Sequence, residues 1–445
     1  MTAPAKTDSF GVSRARRGLR WLRRGLLLLV LALLVTTVGH AEFRPTALEM
    51  AMAPHRYSIL DWEMSHLSHK WTHSLSLLLP GQHDLTEAER GEMVREFFDL
   101  GQAQRRMESQ LWRTEMGGSR TRGSGSIAPP APGASYLREA LAKNQAQMAE
   151  LLPHVEHTVE KTLSSIAREQ GLEHPLLGLF PPVDTAFGSP PSVLVLSPRD
   201  RIYRQNAFLL QPGLEDSIKD DLEGVALDTE NLSAVVEPTG GLSVYPSVVM
   251  DTAGLRFGLE VAAHEWVHHW LFFHPLGRNF RRSPEMLTLN ETAATIAGEE
   301  LGDLAYSELT GEEVIRPWVR GNPAEFDFRA EMRETRSETE ELLARGDIEG
   351  AEAYMEERRQ MFAARGYNIR KLNQAYFAFH GSYATGAGSL SPIGDQLKEL
   401  RRRSDSTGEF LRAMAQFGSY EEYLEYWEGL GTEGADLAGG DPSTN

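Results

Sequence analysis

The sequence predicts an α+β protein, mostly helical, with a small sheet just before a histidine-rich helix and a helical C-terminal part. Three observations predict it. Long stretches, Tyr136 to Gly171 and Phe328 to Arg365 among them, carry apolar residues at helical spacing on a charged background. Strand-like runs are few: Ser192 to Ser197 (SVLVLS), bounded by prolines and Arg-Asp, and Asn231 to Val249. Shortly after the second run stands HEWVHHWLFFH, His264 to His274, with four histidines and one glutamate.

Taken in order, the chain opens with Arg14, Arg16, Arg17, Arg20, Arg23 and Arg24, followed by the apolar run Leu26 to Val38. A basic region leading into an apolar one is the pattern of an export signal or membrane anchor. Gly39-His40-Ala41 offers small residues for cleavage, whereas the long basic stretch favours an uncleaved anchor. Either way the arginines stay on the cytoplasmic side of the membrane and the bulk of the protein lies outside the cytoplasm. Residues 45–115 read as helical. Gly117 to Ser135 (GGSRTRGSGSIAPPAPGAS) has too little apolar content to pack and reads as a mobile linker.

Asn231 to Val249 reads as two strands joined at Thr239-Gly240-Gly241, with Pro246 placing the second at a sheet edge. Asp251 is positioned to cap a helix from about Ala253 to Phe273, which Pro275 ends. A second helix starts near Pro284 and runs to about Tyr306. Phe328 to Arg365 reads as a helical hairpin broken at Gly346-Asp347, a solvated rim, and helix continues to about Trp427. The predicted organisation is therefore a signal or anchor (1–41), a helical N-terminal region (42–116), the linker (117–135), a main domain (136–430) and a disordered tail (431–445).

Composition excludes several chemistries. The chain has no cysteine, so disulfides, thiolate metal sites and a cysteine nucleophile are ruled out. A transition metal would have to be held by His, Asp or Glu, which suits a catalytic zinc site. The formal net charge is −18 despite the basic N-terminus, which argues against a nucleic-acid partner. Neither a GxxxxGK[ST] phosphate loop nor a GxSxG elbow is present.

On a helix turning about 100° per residue, His268 lies about 40° from His264, so two imidazoles share a stripe one turn apart. Glu265 flanks that stripe and is placed to reach a metal-bound water rather than the metal. His269 drifts off the face. A third ligand has two candidates. His274 completes H-E-x-x-H-x-x-G-x-x-H, but that pattern needs a sharp turn at its glycine, and here Leu271 stands there. The other is Glu291, with 22 residues between it and His268. On its predicted helix Ala294, Thr295 and Gly298 share the stripe of Glu291, and small residues let two helices approach closely. The competing account of that stripe is an ordinary helix contact with Glu291 exposed. His66, His69 and His73 (HLSHKWTH) share another helix face, but no carboxylate base stands beside them.

His264-Glu265-x-x-His268 followed by Asn290-Glu291 resembles the gluzincin class of zinc metallopeptidases. More narrowly, AAHEWVHH and LNETAAT are similar to the bacterial predicted aminopeptidases, and Leu372 to Tyr383 (LNQAYFAFHGSY) resembles their Asn-x-Ala segment followed by a tyrosine. The resemblance spans roughly residues 230–430 and rests on these three places. It implies a zincin-like core, Zn2+ held by His264, His268 and Glu291, Glu265 as general base, and a peptide or protein as substrate. One departure is Thr295, where thermolysin-like enzymes have an aspartate that orients a histidine; Glu260 is the remaining candidate for that task. Tyr383, then His380, are the expected donors to the carbonyl oxygen under attack. The strand Leu242 to Val249 is a candidate for binding extended peptide by strand addition. The expected function is a membrane-anchored or exported zinc peptidase, in its narrower form an aminopeptidase. The competing expectation is an inactive, membrane-tethered scaffold or binding protein that keeps the fold.

Overall fold

The structure is a computed structural model that describes residues 24–29, 45–66, 86–117, 133–314 and 326–438. The chain falls into two compact units, Met1–Met50 and Ala51–Asn445. In the first, residues 24–29 are helical and helix α1 (Ala47–Met52) begins. The rest of the predicted anchor, most of the linker, His69, His73 and residues 439–445 lie outside the described residues. No helix among the described residues is long and apolar enough to cross a membrane.

The second unit is mostly helical, with small sheets. Helices α2 (Glu87–Gly117) and α3 (Ala134–Glu169) precede strands β1 (Thr185–Gly188), β2 (Ser192–Pro198) and β3 (Asn206–Leu210). Helix α4 (Asp216–Glu230) leads to β4 (Leu232–Pro238), β5 (Gly241–Leu242) and β6 (Ser247–Met250). Then come α5 (Leu255–Phe272), α6 (Pro275–Asn279), α7 (Pro284–Thr310), α8 (Phe328–Ala344), α9 (Ile348–Ala364) and α10 (Gln374–His380). Helices α11 (Ile393–Arg403), α12 (Thr407–Met414) and α13 (Tyr420–Ala438) close the order.

The strands form two three-stranded sheets rather than one. β2 is the centre of an antiparallel sheet, with β3 and β4 on its flanks, and Val195 lies opposite Val235. In the other sheet β6 is central, parallel to β1 and antiparallel to β5. The hairpin expected over Asn231–Val249 therefore does not form. β4 ends in one sheet, and the chain crosses at Thr239-Gly240 to begin β5 in the other. The strand run after Gly241 is also not one edge strand. Tyr245-Pro246 interrupts it, and Ser247–Met250 sits in mid-sheet, where each residue has a partner on β1. Proline cannot donate to a ladder, so it stands just before the central strand. The true edge is the short β5. The opposite edge is closed, because α3 turns carboxylates to it: Glu160 accepts from the Thr185 N–H at 2.9 Å and Glu156 from the Phe187 N–H at 3.0 Å.

Both central helices have a buried back. In α5 the side chains of Leu259, Ala262, Ala263, Val267 and Leu271 are fully or nearly fully buried. Trp266 donates its indole N–H to the Pro181 carbonyl and Trp270 donates to that of Leu172. The same core takes Val94, Phe97 and Phe98 of α2 and much of α7. The cap of α5 is Gly254 in extended conformation, with no side-chain bond, so Asp251 does not cap it. For α7 the Ser283 hydroxyl accepts from the Met286 N–H, and Pro284 occupies the first turn. The expected hairpin is present: Gly346 has φ +78°, and Asp347 caps α9 by accepting from the Gly350 N–H. The last helix runs on to Ala438 instead of yielding to a tail at Gly431. Interior glycine costs only about 1 kcal/mol, and Glu433, Ala435 and Leu437 favour helix.

Candidate metal centre

The front of α5 carries His264, Glu265 and His268, and α7 crosses it with Glu291 facing them. The crossing is tight because α7 presents glycine to the α5 backbone. A Cβ built on Gly298 would stand 2.8 Å from His264 Cα, and one on Gly302 2.5 Å from Glu260 Cα. At such contact a side chain as short as glutamate reaches the imidazoles. The Nε2 atoms of His264 and His268 are 3.0 Å apart, and Glu291 Oε2 lies 3.7 Å and 3.5 Å from them. Tetrahedral bonds of about 2.0–2.1 Å imply ligand atoms roughly 3.3 Å apart. The three separations bracket that value. Among the described residues these three form the one group of His, Asp and Glu that brings ligand atoms together in this way.

The electrostatics agree with the geometry. Burial works to raise the Glu291 carboxyl, but the two imidazoles hold it well below the usual carboxylate range. Burial works to lower His268, but the Glu291 charge overrides it and raises the imidazole to about 9. A buried carboxylate that stays ionised beside two imidazoles is a donor set of the kind that could hold a metal cation.

Glu265 is 8% exposed and is not one of the three. Burial raises its carboxyl, with Glu291 adding to the rise and the two histidines opposing it. The carboxylate has room because of Gly241 on β5, where a Cβ would come within 2.6 Å of Glu265 Oε1. Ser243 fixes the next stretch of chain by donating to the Glu265 carbonyl at 3.1 Å. The open edge of β5 thus runs beside Glu265, along a cleft of about 1150 Å³ whose wall includes His264, His268, Glu291, Tyr245, Phe257, Phe272 and Tyr383.

Tyr383 follows α10 and is tied to α7, since the Ala384 N–H donates to Thr292 Oγ1 at 3.1 Å. Its phenol is hydrogen-bonded to Glu291, and that carboxylate together with burial raises its pKa well above the usual value. It is therefore a protonated donor at the Glu291 carboxylate. His380 lines the same cleft, but its Nε2 faces Glu237 Oε2 at 3.7 Å and its ring packs on Tyr376. Asn373 acts as a brace: it caps α10 through the Tyr376 N–H and donates to the Ala234 carbonyl of β4.

The remaining histidines separate as helix geometry requires. His269 lies on the cleft wall outside the ligand group, with burial lowering its pKa to about 4. His274 stacks on Trp270 and binds the Trp270 carbonyl at the start of α6, away from the cleft. Leu271 is fully buried, so no turn brings His274 back. His66 stacks on Trp62.

Two site residues escape a reading of the sequence. Beside His268, next to Glu291, stands Asn290, 4% exposed, whose side chain helps to raise the imidazole pKa. Glu260 instead meets Arg256 at 3.1 Å, and Thr295 turns its hydroxyl to its own helix, on the Glu291 carbonyl. The Asn290-Glu291 pair was the available signal, but a residue 100° around a helix from a ligand carries no spacing rule of its own. Gly241 is the second, because β5 meets α5 only in the folded chain. No family model matches the chain, and comparison with curated proteins and with solved structures finds none similar to it.

Proposed function

We propose that the chain is a zinc-dependent peptidase with a zincin-like core, of the gluzincin type. The observation that carries this reading is the spacing of His264 Nε2, His268 Nε2 and Glu291 Oε2, 3.0–3.7 Å, with Glu265 beside them. Two imidazoles and one carboxylate without thiolates suit Zn2+ and leave a fourth position for water or substrate. When bound, zinc would lower the pKa of a water and polarise an amide carbonyl.

The protein groups then have distinct tasks. Glu265, its carboxyl raised by burial, takes a proton from the attacking water and delivers it to the leaving amine. Tyr383 offers its O–H to the carbonyl oxygen as charge develops there. Asn290 holds the His268 ring in its ligating orientation. The edge of β5 offers N–H and C=O groups to an extended peptide, and this brings the substrate backbone past Glu265. The Arg-rich N-terminus and Leu26–Val38 support an anchor in the cytoplasmic membrane with the peptidase unit outside the cytoplasm.

The test is the purified full-length chain, assayed for metal and then against a peptide library. We expect about one zinc per chain, and peptide-bond cleavage that Glu265→Gln abolishes while zinc is kept. Glu291→Gln is expected to lose the zinc. Release of residues only from free N-termini identifies an aminopeptidase; internal cuts identify an endopeptidase. Zinc retained at full stoichiometry by Glu291→Gln would sink the ligand assignment.

A further inference from the structure

The cleft holds an arginine that has no counter-charge among the described residues. This protein has 63 acidic residues against 45 lysines and arginines, and its partly buried guanidinium groups find carboxylates. Arg199 meets Glu352 at 2.7 Å, Arg256 meets Asp303 at 2.8 Å and Arg401 meets Glu300 at 2.6 Å; Arg370 is paired with Glu223. Arg204 differs. It is only partly exposed and lines the metal cleft just before β3. Among the described residues no carboxylate or carbonyl oxygen meets its guanidinium, which lies over the Phe379 ring, 5.8 Å from the centroid. Arg281 also lines the cleft and lies over Phe280, but it is exposed, so water serves its charge.

A partly desolvated guanidinium costs free energy unless an anion meets it, and the flat face of Phe379 holds its fork without using its donors. The donors stay available on the cleft side. Arg204, Tyr383 and Glu291 line the same cleft.

We propose that Arg204 is a specificity residue that docks a carboxylate of the peptide substrate, by paired N–H donation from its guanidinium. The proposal rests on the peptidase reading for its choice of ligand. Two sources offer the same chemistry: the C-terminal carboxylate of a short peptide, and the side chain of an Asp or Glu within a longer one. In a chain with net charge −18, a partly desolvated arginine in the cleft wall favours substrates that bring it a carboxylate.

The test uses matched fluorescent peptides of one neutral sequence: with a free C-terminus, with a C-terminal amide, and as amides with one Glu at successive positions. Binding is measured by anisotropy on the full-length, zinc-loaded Glu265→Gln chain, and cleavage on the wild type. A charge-assisted bond predicts that a carboxylate-bearing peptide binds roughly 10- to 100-fold tighter than the neutral amide. Preference for the free C-terminus identifies the terminal carboxylate; preference for one Glu position identifies the side chain. Arg204→Gln, with zinc content checked as the measure of an intact site, should erase the preference, and Arg204→Lys should restore part of it. Equal binding of all peptides, absence of binding by any of them, or a preference that survives Arg204→Gln overturns the proposal. Selective binding without any cleavage by the wild type would overturn the peptidase reading and leave the carboxylate site standing.

Discussion

Gly298 lies against the backbone of His264: a Cβ there would be 2.8 Å from both the Cα and the amide nitrogen of His264. This contact sets how near α7 comes to α5, and so whether Glu291 reaches the two imidazoles. In an unconstrained helix Gly→Ala is worth about 1 kcal/mol of added stability. Here Gly298→Ala is expected to have the opposite sign, costing roughly 1–3 kcal/mol as the helices are forced apart. Zinc affinity falls with it. Denaturant unfolding and a zinc titration read both quantities, and a stabilised variant with unchanged affinity contradicts the packing argument.

Asn290 is placed to orient His268. Outer partners of metal-binding histidines typically contribute 10- to 100-fold in affinity, and roughly that loss is expected for Asn290→Ala. Glu260→Gln is the matched comparison: Glu260 lies 3.1 Å from Arg256, so zinc affinity should change less than in Asn290→Ala. The reverse order of effects would reassign the orienting residue.

Zinc binding should depend on pH in a defined direction. In the metal-free protein Glu291 raises His268 from 6.5 to about 9. A folded-state pKa above the unfolded one contributes stability that is complete below about 6.5 and is lost as pH rises through about 9. The metal-free protein should therefore lose stability across that interval. Ligation needs the neutral imidazole, so zinc displaces one proton and its affinity rises about tenfold per pH unit towards pH 9, then levels off. Calorimetry in two buffers of different ionisation enthalpy measures the proton released. An affinity that is flat below pH 9 would count against His268 as a ligand.

Gly241 makes room for the Glu265 carboxylate. Gly241→Ala places a methyl where Glu265 Oε1 now lies 2.6 Å away and Val261 Cγ1 2.7 Å away. The three ligands are untouched, so zinc should be retained. Displacing the base by about 1 Å is expected to lower kcat on the order of 100-fold. Loss of zinc in this variant would mean that β5 supports the ligands rather than the base.

Much of this site is legible in the sequence because helix geometry is local. The pitch of α5 alone pairs His264 with His268, sets Glu265 beside them and discards His269; in the structure the two Nε2 atoms stand 3.0 Å apart, with Glu265 and His269 outside the group. Glu291 was reachable through Gly298, because glycine inside a helix marks a close approach. The sheet was less legible. Thr239-Gly240-Gly241 has the composition of a hairpin turn, yet β4 pairs with β2 and β6 with β1. Strand partners are chosen by contacts between distant segments, so a turn signal cannot reveal that the chain changes sheets.

The sequence by itself determined a mostly helical chain, two histidines on one stripe, a flanking glutamate and the absence of thiolates. It did so because period and composition act within a few turns of helix. Only the tertiary structure decided that Asn290 neighbours His268, that Gly241 makes room for Glu265, that Tyr383 reaches Glu291 and that Arg204 has no counter-charge among the described residues of the cleft. Each of these joins segments brought together by packing of the core, and the energy of such contacts depends on positions in space that residue spacing does not encode.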